Sequence, residues 1–179
     1  MKPRLSIWEE LNHLFAVDDG SIPDIYVEPL TSDEVVNLYK KVMSRAHVYD
    51  DPTVWSREES RDVPLKQLSR PAELVVRGKI ESFRHGLVGL ESNGVQLPDL
   101  TICVEPNGIS FDYKMGKRWG PKEVESLFEF LWDLVQDLPN AKVFHADEGM
   151  YEKPTEVFSR VWEQYGNNRR SGRDSASTS

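Results

Sequence analysis

Two short segments of alternating side chains, joined by a turn, constrain the fold of this chain more than any other feature. In residues 100–105, Ile102 and Val104 alternate with polar or small side chains. Residues 109–113 alternate in the same way, and Pro106-Asn107-Gly108 separates the two runs. Strands with this period of two lie in an antiparallel sheet that buries one face. The sequence therefore predicts a hairpin at the centre of such a sheet.

Other segments predict further strands of the same sheet. The turn pair Asn93-Gly94 is a strong short-range signal for a hairpin. Apolar and β-branched runs predict additional strands over residues 25–27, 73–80, 86–90 and 142–145. Together these segments indicate an antiparallel meander of four to six strands.

Helices are indicated by apolar side chains at three- and four-residue spacing. Ser6 with Glu9, and Thr31 with Glu34, match the capping box that begins a helix. Pro121 suits the first position of another helix, and Gly166 suits the end of the last one. The predicted helices cover residues 7–15, 32–46, 121–138 and 155–165. We expect an α+β fold in which amphipathic helices pack mainly on one face of the sheet.

The chain divides into one predicted domain and one tail. Residues 1–165 are expected to form a single globular α+β domain, because their length suits one hydrophobic core. Residues 47–72 are irregular and contain three prolines. Residues 166–179 are rich in Ser, Gly and Arg and lack large apolar side chains, so we expect a disordered polar tail.

An acidic ladder is the most unusual feature of the predicted helix at residues 121–138. Glu125, Glu129, Asp133 and Asp137 follow one another at a spacing of four residues, and residues 123–138 contain no lysine or arginine. Like charges at this spacing repel by roughly 0.2–0.5 kcal/mol per pair. Two interpretations stay open: an ordinary solvated face, or an interface for a basic partner.

Aromatic and cationic side chains beside the ladder extend the second interpretation. Phe130 lies on the flank of the apolar stripe, and Trp119 precedes the helix. Either could anchor a partner, since aromatic side chains and Arg are enriched at binding hot spots. Lys117 and Arg118 lie just before the helix and suggest three alternatives: a solvated loop, an anion site at the helix start, or one bipolar surface with the ladder.

Charge and composition exclude several classes of protein. The net charge is −8, and residues 1–165 carry −10 because 19 of the 22 basic and 29 of the 30 acidic residues fall there. A nucleic-acid binder would have a basic footprint instead. No apolar run is long enough to span a membrane, and the N-terminal segment does not resemble a secretory signal. With a single cysteine, these observations predict a cytoplasmic protein.

Motifs for catalysis, metals and cofactors are missing from the sequence. There is no phosphate-binding loop, no dinucleotide fingerprint and no nucleophile elbow, and the four histidines are scattered singly. We therefore predict no cofactor and no metal. The best candidate for proton transfer is His145 with Asp147, at the end of the last predicted strand. The alternative is that these residues form a polar connecting loop.

A non-enzymatic binding protein is the function that these features favour. The concrete form is an immunity or antitoxin-type inhibitor, which would use the acidic ladder against a basic toxin domain. One alternative is an enzyme that binds an anionic small molecule at residues 116–122 and transfers protons at residues 145–148. Another is an adaptor subunit of a larger assembly.

Overall fold

The computed structural model describes residues 5–176. The α-helices are α1 Ile7–Phe15, α2 Ser32–Met43, α3 Pro71–Val76, α4 Pro121–Val135 and α5 Glu156–Ala176. The strands are β1 Asp24–Glu28, β2 His47–Val48, β3 Thr53–Ser56, β4 Arg61–Pro64, β5 Phe83–Val88, β6 Glu91–Ser92, β7 Val95–Gln96, β8 Leu100–Glu105, β9 Gly108–Tyr113 and β10 Lys142–Ala146. Both predicted capping boxes are present, at Ser6 and at Thr31.

Six strands form one antiparallel sheet in the order β10-β1-β9-β8-β5-β2. The predicted hairpin pairs β8 with β9 and sets Ile102 opposite Phe111. Their side chains therefore lie on the same face as Ile25 of β1, which also pairs with Phe111. All three are buried, so this face of the sheet carries the core, and in β9 the residues of the opposite face are buried as well.

The helices pack on that buried face. Each of four helices contributes a ring that lies against a ring of the sheet: Phe15 of α1 on Tyr113, Tyr39 of α2 on His85, Phe130 of α4 on Phe111, and Phe158 of α5 on His145. These contacts leave the opposite face of the sheet without a helix. The predicted α+β class, with helices on one side, is confirmed.

Residues 73–80 differ from the prediction, since α3 replaces the expected strand. Pro71 occupies the first helical position, and Gly78 adopts a φ of +66° shortly after the helix ends. Val75 is buried against the core. A short apolar run bounded by Pro and Gly is compatible with either a strand or a helix turn, and packing against α2 selects the helix here.

Two small hairpins complete the strands. The segment predicted to be irregular, residues 47–72, contains the β3–β4 hairpin, in which Val54 pairs with Val63. Asn93 and Gly94 both have positive φ, as expected for a two-residue hairpin turn, and they join β6 to β7. This second hairpin lies in the connection between the paired strands β5 and β8.

The last helix does not end at Gly166, where the sequence predicted its cap. α5 continues to Ala176, and residues 177–179 lie outside the described part. Gly166 packs against Trp132, and a Cβ at this position would lie 3.0 Å from the indole ring. Within residues 5–176, no helix has the length and hydropathy needed to cross a membrane.

Candidate functional site

The acidic ladder, which begins on α4 and ends in the turn after it, has partners from α5 and from the segment that follows α2. Arg169 of α5 places Nη2 2.6 Å from Oε1 of Glu129, and the Tyr165 hydroxyl donates to the same carboxylate. Arg45, which follows the end of α2, places Nη2 3.1 Å from Oδ2 of Asp133. The prediction of a ladder without compensating cations is therefore wrong for its two central acids. Both are half-buried, and intramolecular ion pairs already neutralise them.

The outer members of the ladder remain exposed. Glu125 and Asp137 form no ion pair within the part of the chain that the structure describes. They lie at opposite ends of the ladder, with the paired acids between them. A basic partner at this surface would meet two separated carboxylates in place of a continuous acidic face.

Neither predicted aromatic anchor is accessible. Phe130 is 0% exposed because α4 packs it onto Phe111 of the sheet, with ring centroids 5.5 Å apart. Trp119 is 3% exposed, packs against Phe15 with the two rings tilted, and donates from Nε1 to the Lys114 carbonyl at 3.0 Å. The proposed anchoring roles are thus corrected, since both rings are part of the core.

The basic loop before α4 is exposed but does not lead to an open helix start. Arg118 Nη1 lies 2.9 Å from Oδ2 of Asp99, and Lys117 is exposed beside it. A carboxylate oxygen of Glu123 folds back to within 2.9 Å of where a Cβ on Gly120 would lie. An acid of the helix itself therefore sits at this N-terminus, where the sequence suggested an external anion.

His145 is a buried structural residue. It is 0% exposed, with Nε2 3.0 Å from the Tyr113 hydroxyl and Nδ1 2.7 Å from Oγ1 of Thr155. The Tyr113 hydroxyl donates to the Leu14 carbonyl, so Nε2 must carry the proton and donate to Tyr113. Burial lowers the pKa of His145 to about 4. This side chain is neutral and fully hydrogen-bonded.

The enzyme hypothesis required a pocket that joins residues 116–122 to residues 145–148. A pocket of about 500 Å³ is lined by Gly116, Lys117 and Arg118 but by none of residues 145–148. His145 lies on the helix-covered side of the sheet. This pocket therefore does not join the two segments, and their pairing in one active site stays a prediction.

The open face is the sheet surface opposite the helices. Its central side chains are Asp24, Tyr26, Arg84, Thr101, Cys103, Glu105, Ser110 and Asp112. These are the polar positions of the alternating strands, and the strand register sets them side by side. The sequence showed the alternation within each strand, but not which strands are neighbours.

Asp24 and Asp112 form a carboxylate pair at the centre of the open face. They are directly opposite each other on β1 and β9. Burial, and then the charge of Asp112, raise the pKa of Asp24, while the pKa of Asp112 is raised by burial. Arg84 forms an ion pair with Asp112, and Tyr26 donates a hydrogen bond to Asp24. Glu148 adds further negative charge nearby.

Aromatic side chains flank the charged centre. Tyr49 lies on Gly86 of β5 so closely that a Cβ there would be 1.8 Å from the ring, and it remains 60% exposed. At the other edge, Tyr151 packs edge-on against Tyr26 at 5.0 Å and near Phe144 at 5.9 Å. The open face therefore combines an acidic centre with exposed aromatic surface on both sides.

Comparisons with protein-family models, with curated proteins and with solved structures find no match to this chain. Within residues 5–176, no group of three or more His, Cys, Asp or Glu side chains is arranged to hold a metal ion. What the open face offers a ligand is charge, hydrogen-bonding groups and aromatic surface.

Proposed function

We propose that this chain is a non-enzymatic binding protein for a basic protein partner, in the manner of an immunity or antitoxin-type inhibitor. The contact surface in this proposal is the open face rather than α4. The observation that carries it is the carboxylate pair of Asp24 and Asp112, which has Arg84 as its neighbouring cation. A cation supplied by a partner would relieve the remaining repulsion.

The electrostatic argument rests on how these acids are held. Partial burial strengthens the interaction of a carboxylate with an opposite charge, because water screens it less. Glu105 and Glu148 extend the negative potential around the pair. The net charge of −8 would also steer a basic partner toward the protein and raise the association rate.

The anatomy of the open face also suits a protein partner. Aromatic side chains are enriched at protein interfaces relative to the rest of the surface. Tyr49 and Tyr151, which are 60% and 48% exposed, would supply apolar contact area on either side of the acids. The ladder on α4 has less to offer, since its central acids are already paired.

Partner capture with matched variants tests this proposal. The bait would be the wild-type chain, the open-face variant Asp24→Asn/Glu105→Gln, and the ladder variant Glu125→Gln/Asp137→Asn, which has the same net charge. We expect a basic protein to bind the wild type and the ladder variant, to be lost from the open-face variant, and to have its toxic activity suppressed by the wild type. A captured partner that binds all three baits equally would contradict the assignment.

A further inference from the structure

The pocket of about 500 Å³ lies at one end of the open face, where β8 begins and β9 ends. Its volume is within the range of small-ligand sites. The lining includes acids and bases in equal number: Asp18, Asp99, Asp112, Lys114, Lys117 and Arg118. Such a lining favours a ligand that carries both charges over a simple cation or a simple anion.

The basic wall of the pocket is a loop held in place by the core. Gly116 adopts a φ of +136° and donates its N–H to the Phe15 carbonyl at 2.8 Å, which fixes the loop to the end of α1. Arg118 is paired with Asp99. Lys114 and Lys117 are exposed and form no ion pair within residues 5–176. Two ammonium groups are thus available to a carboxylate.

The acidic floor of the pocket continues into the carboxylate pair. Asp112 is 9% exposed, accepts a hydrogen bond from Thr101, and is paired with Arg84. Asp24 lies directly beyond it on β1 and forms no ion pair among the described residues. A cation that reached this floor would meet two carboxylates and one guanidinium.

An aromatic wall completes the pocket. Tyr49 lines it, and Asp50 holds the loop that carries this ring by accepting the N–H of Gly86 at 3.0 Å. Because Gly86 has no side chain, the ring can lie directly on the strand. The face of an exposed aromatic ring attracts an ammonium or guanidinium group.

We propose that this pocket binds a basic amino acid that also carries a free carboxylate. Arginine or lysine has this chemistry, either as a free amino acid or as the last residue of a chain. The side-chain cation would lie between Tyr49 and Asp112, and the carboxylate would lie against Lys114 and Lys117. The inference does not depend on the basic protein partner, since the pocket can be occupied or empty whether or not that partner exists.

Titration of the isotope-labelled protein with small ligands, followed by amide chemical shifts, tests this inference. The ligands are L-arginine, Nα-acetyl-arginine and argininamide, which lacks the carboxylate. We expect the two ligands with a carboxylate to shift the resonances of Thr101 and of residues 112–118. Argininamide should bind at least about tenfold more weakly, because it loses one close charge pair.

The two ligands with a carboxylate also distinguish a free amino acid from the last residue of a chain. Nα-acetyl-arginine resembles the last residue of a chain, so binding equal to or tighter than that of L-arginine supports a chain end. Tighter binding of L-arginine supports a free amino acid, whose α-ammonium group then contributes.

The same titrations, repeated on variants of the pocket and on a matched control variant, provide a second test. Lys114→Gln/Lys117→Gln should make arginine bind no better than argininamide. Gly86→Ala should weaken all three ligands, since its Cβ displaces the Tyr49 ring. Lys122→Gln removes an exposed cation of the same segment outside the pocket lining and should change nothing. The inference is overturned if argininamide binds wild type as tightly as arginine, or if no ligand shifts the pocket resonances.

Discussion

Asp24 and Asp112 lie directly opposite each other on β1 and β9, and both carboxyl groups have a raised pKa. Arg84 forms an ion pair with Asp112, whereas Asp24 has none within residues 5–176. Like charges opposite each other in a sheet are destabilising. The structure therefore keeps an unfavourable pair at the centre of its open face.

Replacing the two members of the pair should have opposite effects on stability. Asp24→Asn removes the repulsion and is expected to raise the free energy of unfolding at pH 7 by up to about 1 kcal/mol. Asp112→Asn leaves Arg84 without its ion pair and should lower it. Urea unfolding of both variants measures the two changes, and a loss of stability in Asp24→Asn would contradict the assigned repulsion.

The same pair should give a characteristic pH dependence. A carboxyl group with a raised folded-state pKa holds its proton more tightly when the protein is folded. Its contribution to stability is therefore largest below the ordinary pKa of 3.8 and is lost as the pH rises through the folded-state value. As the pH rises through this value, the free energy of unfolding should fall less for Asp24→Asn than for the wild type.

Glu129→Gln tests whether the acidic ladder is neutralised within the protein. From helix spacing alone, removing this charge would relieve repulsion from Glu125 and Asp133 and stabilise the protein. The contacts to Arg169 and Tyr165 predict the opposite, a loss of about 1 kcal/mol, because hydrogen bonds to a charged group are lost. Thermal unfolding of Glu129→Gln distinguishes stabilisation from destabilisation. Glu125→Gln is the control, and this change should be neutral or slightly stabilising.

His145 should make the protein sensitive to mild acid. Its pKa is lowered from 6.5 to about 4 in the folded protein by burial, so the unfolded chain takes up a proton first as the pH falls. Stability should fall by about 3 kcal/mol between pH 6.5 and 4 on this account. His145→Gln should lack this fall. Titration of the imidazole resonance near pH 6.5 in the folded protein would refute the prediction.

Cys103 provides a chemical probe of the open face. Burial, and then the charge of Glu105, raise the pKa of its thiol from 9.0 to about 11. Because the thiolate is the reactive form, alkylation at pH 8 should be roughly a hundredfold slower than that of an ordinary cysteine. Alkylation kinetics followed by mass spectrometry measure this rate. Glu105→Gln should speed the reaction, and a wild-type rate near that of a free thiol would contradict the predicted environment.

Features set by neighbours in the chain could be predicted, whereas those set by distant contacts could not. The capping box at Ser6 and the alternation around Ile102 are local, and both are present as expected. The ion pair between Arg45 and Asp133 joins residues 88 positions apart. No local pattern reports that contact, so the ladder looked uncompensated.

The candidate site was missed for the same reason. Alternation placed Asp112 on the polar side of its strand, but its pairing with Asp24 depends on strand order across the whole sheet. Phe130 illustrates the converse, because its position on the helix suggested partial exposure. The sheet beneath α4 buries it through Phe111.

Affinity for a lysine- and arginine-rich peptide, measured with two variants of equal net charge, tests the central claim most directly. The variants are Asp24→Asn/Glu105→Gln on the open face and Glu125→Gln/Asp137→Asn at the two ends of the acidic ladder. The predicted result is a loss of about tenfold or more for the open-face variant at low salt, with less than about twofold for the ladder variant. Equal losses in both, or a larger loss in the ladder variant, would contradict the assignment of the open face as the binding surface.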